Sequence, residues 1–156
     1  MSTIIVYISK HGCTEKAADI LRENIKDDVI LINLKRDQDP DIAPFDSVII
    51  GGYINVGKIQ KKIKKFCEKN RSKLLQKKLG LFLCCMEKGE NAESQFIDAF
   101  PGYLRDHASE KGLFGGEFNF EKMNYFERKI IKKIANINES VSNVDRKAIL
   151  AFAKKF

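Results

Sequence analysis

Apolar and polar positions alternate along this chain between two periods. Ile4-Ile5-Val6-Tyr7-Ile8 is a short, continuous apolar run, the signature of a strand buried on both faces. Ala17, Ala18, Leu21 and Ile25 then recur at helical spacing, with Glu15, Lys16, Asp19, Arg22 and Glu23 on the other side. Val29 to Leu34 predicts a second strand, and Lys35 to Asp46, with Pro40 and Pro44, predicts a loop. Val48-Ile49-Ile50 predicts a third strand, which ends in Gly51-Gly52. Ile59, Ile63, Phe66 and Cys67 line a second helix whose other face is Lys58, Lys61, Lys62, Lys64, Lys65 and Lys69. Leu79 to Met86 predicts a fourth strand. Ala92, Phe96, Ala99, Phe100, Tyr103 and Leu104 mark a third helix, interrupted near Pro101. Gly112 to Phe120 predicts a fifth strand. A helix with Met123, Phe126, Ile130, Ile134 and Ile137 on one face follows, and a last one spans Asp145 to Lys155.

Buried strands separated by amphipathic helices predict a single α/β domain of three layers, with helices on both faces of a five-stranded parallel sheet. In such a sheet of order 2-1-3-4-5, ligands sit at the carboxyl ends of the strands, where the order reverses between the first and third. The loops on that rim are Ser9 to Thr14, Tyr53 to Gly57 and, next along it, Met86 to Glu90.

The first of these carries the clearest chemistry. Ser9-Lys10-His11-Gly12-Cys13-Thr14 joins a strand to a helix. Free N–H groups and the helix dipole make such a junction an anion site. Ser9 and Thr14 add hydroxyl donors, and Gly12 permits close backbone approach. The spacing is that of neither a P-loop nor a dinucleotide-binding glycine motif. An ordinary helix start capped by Ser9 or Thr14 would use the same residues.

Composition narrows the setting. Among 156 residues, 28 Lys and Arg against 21 Asp and Glu give a net charge of +7. That surface suits acidic proteins, nucleic acid or anionic lipid, or simply keeps the protein soluble. No aromatic-interleaved RNA-binding motif occurs, so nucleic acid is not expected as a partner. The four cysteines, Cys13, Cys67, Cys84 and Cys85, lack C-x-x-C spacing and fit reduced thiols. The chain opens directly into a strand with no signal-peptide pattern, and a cytoplasmic location is expected. The 123–137 helix combines aromatics with Arg128, Lys129, Lys132 and Lys133. It would either cover the sheet or lie peripherally on the inner face of a membrane, near a quinone pool.

The phosphate loop resembles that of the flavodoxin family, Ser/Thr-x-Ser/Thr-Gly-x-Thr, with His11 standing where a hydroxyl residue is usual. Tyr7 to Thr14, Phe45 to Lys58, the basic aromatic segment Phe120 to Ile134 and the closing Asp145-Arg146-Lys147 are most similar to the protoporphyrinogen IX dehydrogenase branch of that family. The region after Cys85 is shorter than in that branch, and Asn138 to Val144 lacks part of its penultimate stretch. The resemblance implies FMN, with its phosphate on Ser9, Lys10, His11, Gly12, Cys13 and Thr14. The ring would lie between Tyr53, Ile54, Asn55, Val56 and Gly57 on one side and Cys84, Cys85, Met86 and Glu87 on the other. Tyr53 would stack on the flavin or pack on the second helix, Asn55 would offer an amide to the flavin edge, and Gly57 a peptide near N5. Cys84 and Cys85 would be core thiols or, less in keeping with disulfide geometry, a redox pair. The activity implied is oxidation of protoporphyrinogen IX or a related reduced substrate, with electrons passing to a quinone or another acceptor. An electron carrier serving a redox partner protein and a non-catalytic basic binding module are the alternatives. Carriers of the family are usually acidic, and this chain has the opposite sign.

Overall fold

The computed structural model describes residues 1–9, 12–118, 124–135 and 141–156. Its centre is a five-stranded parallel sheet of order β2-β1-β3-β4-β5, built from β1 (Ser2–Tyr7), β2 (Asp28–Asn33), β3 (Ser47–Tyr53), β4 (Lys78–Cys84) and β5 (Glu110–Leu113). This is the three-layer order expected from the alternating pattern.

The central strands are buried on both faces because both faces are covered. Ile4, Val6, Val48, Ile50, Leu81 and Leu83 point into one layer, against α2 (Lys61–Lys69) and α4 (Gly89–Ala99) through Ile63, Phe66 and Phe96. Ile5, Tyr7, Ile49, Phe82 and Cys84 point into the other. They meet α1 (Cys13–Asn24) and α7 (Arg146–Ala153) there through Ala17, Leu21, Ile149 and Phe152. Small residues on α1 let it sit close to the sheet. Phe82 stacks on Phe114 with ring centroids 4.9 Å apart, and Phe152 meets Phe114 edge-on at 5.3 Å. Asp145 caps α7 by accepting from the Ala148 N–H at 3.0 Å. The lysines of α2 all face solvent.

Several expectations need correction. The third helix breaks fully at Pro101 into α4 and α5 (Gly102–His107), and a one-turn helix, α3 (Arg71–Leu74), precedes β4. β2 is an edge strand, with Ile30 49% exposed, although its sequence is as apolar as that of β1. The fifth strand does not run from Gly112 to Phe120. It ends at Leu113, because Gly115 turns the chain at φ +75°. The chain then makes an excursion: β6 (Glu117–Phe118), α6 (Tyr125–Ala135) and β7 (Val141–Ser142), with β6 and β7 paired antiparallel. Asn119, Phe120, Met123 and the stretch 136–140 lie outside the described residues. α6 does not bury the face expected to pack on the sheet: Phe126 is 74% exposed and Ile130 44%. No helix among the described residues is long and apolar enough to cross a membrane.

Candidate functional site

The carboxyl ends of β1, β3 and β4 bring the three expected loops to one rim. In the first loop Ser9 is buried, and its Oγ accepts the Gly12 N–H at 3.1 Å, which leaves the hydroxyl hydrogen able to donate. Lys10 and His11 lie outside the described residues. Gly12 is itself the N-cap residue of α1, at φ +88°, and no side chain among the described residues caps the helix. Neither Ser9 nor Thr14 takes the capping role that an ordinary helix start would give it. Thr14 is 1% exposed, and its Oγ1 has no oxygen or nitrogen partner among the described residues, with only the Cys84 thiol beside it. A buried hydroxyl left unpaired costs about 1–3 kcal/mol, and a ligand oxygen there would offset that cost. Cys13, buried, lies against the Cys84 thiol. The Tyr7 hydroxyl donates to Glu15 Oε1 at 3.4 Å, and burial, then that carboxylate, push its pKa up to about 12.

The second loop is held from within. Gln60 clamps Tyr53 at both ends of its peptide: Tyr53 N–H donates to Gln60 Oε1 at 3.2 Å, and Gln60 Nε2 donates to Tyr53 O at 2.8 Å. Ile54 N–H reaches Cys84 O at 2.9 Å, which ties the second loop to the third. Asn55 and Lys58 exchange two backbone bonds of 2.9 and 3.1 Å around Val56 and Gly57, at φ +49° and +77°. Positive φ at both central residues defines the tight hairpin turn that normally takes Asn-Gly. A β-branched residue there is strained, and Val56 is also 66% exposed. Val56→Asn is therefore expected to raise stability by about 1 kcal/mol, seen as a melting temperature about 2–4 °C higher. A lower melting temperature would show that the turn holds no strain. Tyr53 is half-buried and packs against the ends of both apolar layers. Burial, then the Glu127 carboxylate on α6, raises its hydroxyl pKa.

In the third loop Cys84 and Cys85 are buried in opposite layers, so they are separate core thiols and not a pair. A hydrogen bond with Cys13 and burial raise the Cys84 thiol, and burial, then Glu87, pushes Cys85 up to about 11. Both stay protonated near neutral pH. The Cys85 thiol contacts Glu87 O at 3.8 Å, Met86 is half-buried and Glu87 is exposed. The chain after β5 closes on this loop: Gly115 O accepts from Cys85 N–H at 2.8 Å, and a Cβ on Gly116 would stand 2.7 Å from Met86 Sδ. Gln60 and Gly116 were not among the expected site residues. A glutamine one residue before a helix, and a second glycine after Gly115, were the only marks they left in the sequence. A shallow depression along Lys147, Leu150 and Lys154 lies on α7 and away from these loops.

This is the doubly wound architecture of the flavodoxins, with the loops at its strand-order reversal. A family model described as flavodoxin domain matches residues 4–145, and the chain belongs to that family. Among solved structures, the two-electron reduced flavodoxin of Megasphaera elsdenii is similar at 19% identity and a TM-score of 0.60, covering 97% of this chain and 98% of that one. Oxidised flavodoxin 1 from Bacillus cereus is similar at 17% identity and a TM-score of 0.58, over 99% of this chain and 96% of that one. A WrbA-like flavodoxin protein from Agrobacterium tumefaciens matches at 14% and 0.57, over 98% and 93%. No curated protein sequence matches.

Proposed function

We propose that the three loops hold FMN and that the protein is an FMN-dependent electron-transfer protein. The observation that carries this is the buried Thr14 hydroxyl at the first turn of α1, which has no partner among the described residues better than the Cys84 thiol, beside Gly12 at φ +88°. A phosphate on the free N–H groups there would satisfy Thr14 and meet the helix dipole. Ser9, Lys10, His11, Gly12, Cys13 and Thr14 form the phosphate cradle. Tyr53, Ile54, Asn55, Val56 and Gly57 flank the ring on one side, and Cys84, Cys85, Met86 and Glu87 on the other. When bound, FMN supplies the redox chemistry, and the protein supplies orientation and electrostatics. Purified protein mixed with FMN and desalted is expected to keep the flavin absorbance bands; a colourless protein overturns this reading.

The finer reading is a dehydrogenase of protoporphyrinogen IX passing electrons to a quinone or other acceptor. Its support is the resemblance over Tyr7 to Thr14 and Phe45 to Lys58. The carrier reading rests on the same loops and needs no substrate pocket beside them. Anaerobic addition of protoporphyrinogen IX to a more than threefold excess of the FMN-loaded protein, since three two-electron flavins are needed to take one porphyrinogen to the porphyrin, separates the two. Bleaching of the flavin with release of fluorescent protoporphyrin favours the dehydrogenase, and unchanged flavin bands favour the carrier.

A further inference from the structure

We propose that α6 and the adjoining Val56 turn form a docking face for an acidic redox-partner protein, an inference that rests on the FMN reading above. Three observations converge on it. First, α6 is carried on the site's rim: Gly115 O and Gly116 O bond Cys85 N–H and Asn143 N–H at 2.8 and 2.7 Å, which fixes both stems of the excursion at the third loop. The Glu127 carboxylate is also close enough to Tyr53 to raise its hydroxyl. Second, the helix exposes apolar surface that no described residue covers. Tyr125 is 72% exposed, Phe126 74% and Ile130 44%, and the two rings stand edge-to-face at 5.8 Å. Third, the surroundings are positive: Arg128, Lys129 and Lys133 on α6, and Lys58 beside Val56, all face solvent.

A small apolar centre with aromatic side chains inside a charged rim is the anatomy of a protein interface. The sign of the rim selects an acidic partner. The small patch fits a transient encounter, below about 1,200 Å² of buried surface, as redox complexes use. An anionic membrane suits it less. Glu127 on the helix and exposed Asn124 just before it break the positive surface, and part of the apolar surface stands on a separate turn at Val56.

The test uses FMN-loaded protein reduced with stoichiometric dithionite and mixed in a stopped-flow instrument with ferric cytochrome b5, an acidic haem protein. Ferric cytochrome c, which is basic, is the counterpart. Each productive encounter passes one electron from the reduced flavin to the haem iron, taking Fe(III) to Fe(II). The rate with the acidic acceptor is expected to fall about tenfold as salt is raised, and to fall about tenfold at low salt in the Arg128→Glu, Lys129→Glu, Lys133→Glu variant. With cytochrome c both trends should reverse. The same charge change at Lys65, Lys154 and Lys155, away from the rim, should move the acidic rate no more than about twofold. Phe126→Ser should slow the acidic reaction and leave its salt slope unchanged. Equal effects of the two charge-reversal sets, or none from the α6 set, would overturn the proposal. So would tight binding of the wild type to phosphatidylglycerol vesicles with unchanged protein-to-protein rates. The flavin bands are read before mixing, so failure to load FMN is seen separately as failure of the FMN reading.

Discussion

Thr14→Val is expected to make the flavin-free protein more stable while weakening its hold on FMN. The Thr14 hydroxyl is 1% exposed and, among the described residues, has only the weakly accepting Cys84 thiol beside it. Replacing it with a methyl group of the same shape removes a buried polar group that lacks a better partner, which should stabilise by about 1 kcal/mol. Hydrogen bonds to charged groups are worth about 1.5–3 kcal/mol. The lost phosphate contact should therefore raise the Kd for FMN by at least about tenfold. Thr14→Ser keeps the hydroxyl and should bind within a few-fold of the wild type. Gly12→Val acts through the backbone instead. At φ +88° a branched side chain costs about 1–2 kcal/mol or more, and it would turn the loop's N–H groups away from the phosphate. FMN should then be lost on desalting. Calorimetry of the flavin-free protein and a fluorescence titration with FMN read the two effects separately. A Thr14→Val variant that is destabilised and binds FMN normally would mean that the hydroxyl serves the fold alone.

How far the residues announced this arrangement depended on whether local pattern or topology decides each feature. β1, β3 and β4 were legible because a strand buried on both faces must be apolar throughout, and theirs are. The edge position of β2 was not, because Val29 to Leu34 is equally apolar and only the strand order leaves Ile30 exposed. The end of β5 turned on which of Gly112, Gly115 and Gly116 takes a positive φ, and three glycines in five residues do not declare that. α6 shows the limit of amphipathic pattern. Phe126 and Ile130 are spaced for burial, yet nothing in the spacing says whether a sheet or an external partner covers them. The rim was legible as three loops, because strand order alone places them together. Its internal bracing was not: Gln60 reads as a polar residue ahead of a helix until its amide is seen on both sides of the Tyr53 peptide. Val56 runs against its own preference, and such a local conflict falls where a turn sits beside the candidate site.

Gly51→Ala is expected to have the largest effect on folding of any single added methyl group in the sheet. Gly51 and Phe82 face each other in register on β3 and β4, and the Phe82 ring occupies the space over Gly51. A Cβ on Gly51 would stand 2.0 Å from Phe82 Cζ and 2.2 Å from its Cε1, distances no side chain tolerates. The ring cannot simply swing away. Phe82 is fully buried, stacked on Phe114 at 4.9 Å and edge-on to Phe152 at 6.5 Å. The strain must pass either to the strands or to that aromatic cluster, at about 3 kcal/mol, the upper end of core overpacking. That is a large fraction of the roughly 5–15 kcal/mol a domain has in all. Phe82→Leu alone should also destabilise, by leaving a cavity beside Phe114. Combined with Gly51→Ala, however, it removes the atoms that clash, so the double variant should be more stable than the sum of the two by about 1–2 kcal/mol. Denaturant melts of the four proteins measure that coupling. If the two effects simply add, the clash is relieved by movement of the strands and the ring is not what holds Gly51 in place. The same melts report on the rim, since Gly51 lies two residues before Tyr53: a shifted β3 would displace the Tyr53–Gln60 clamp and should lower FMN affinity along with stability.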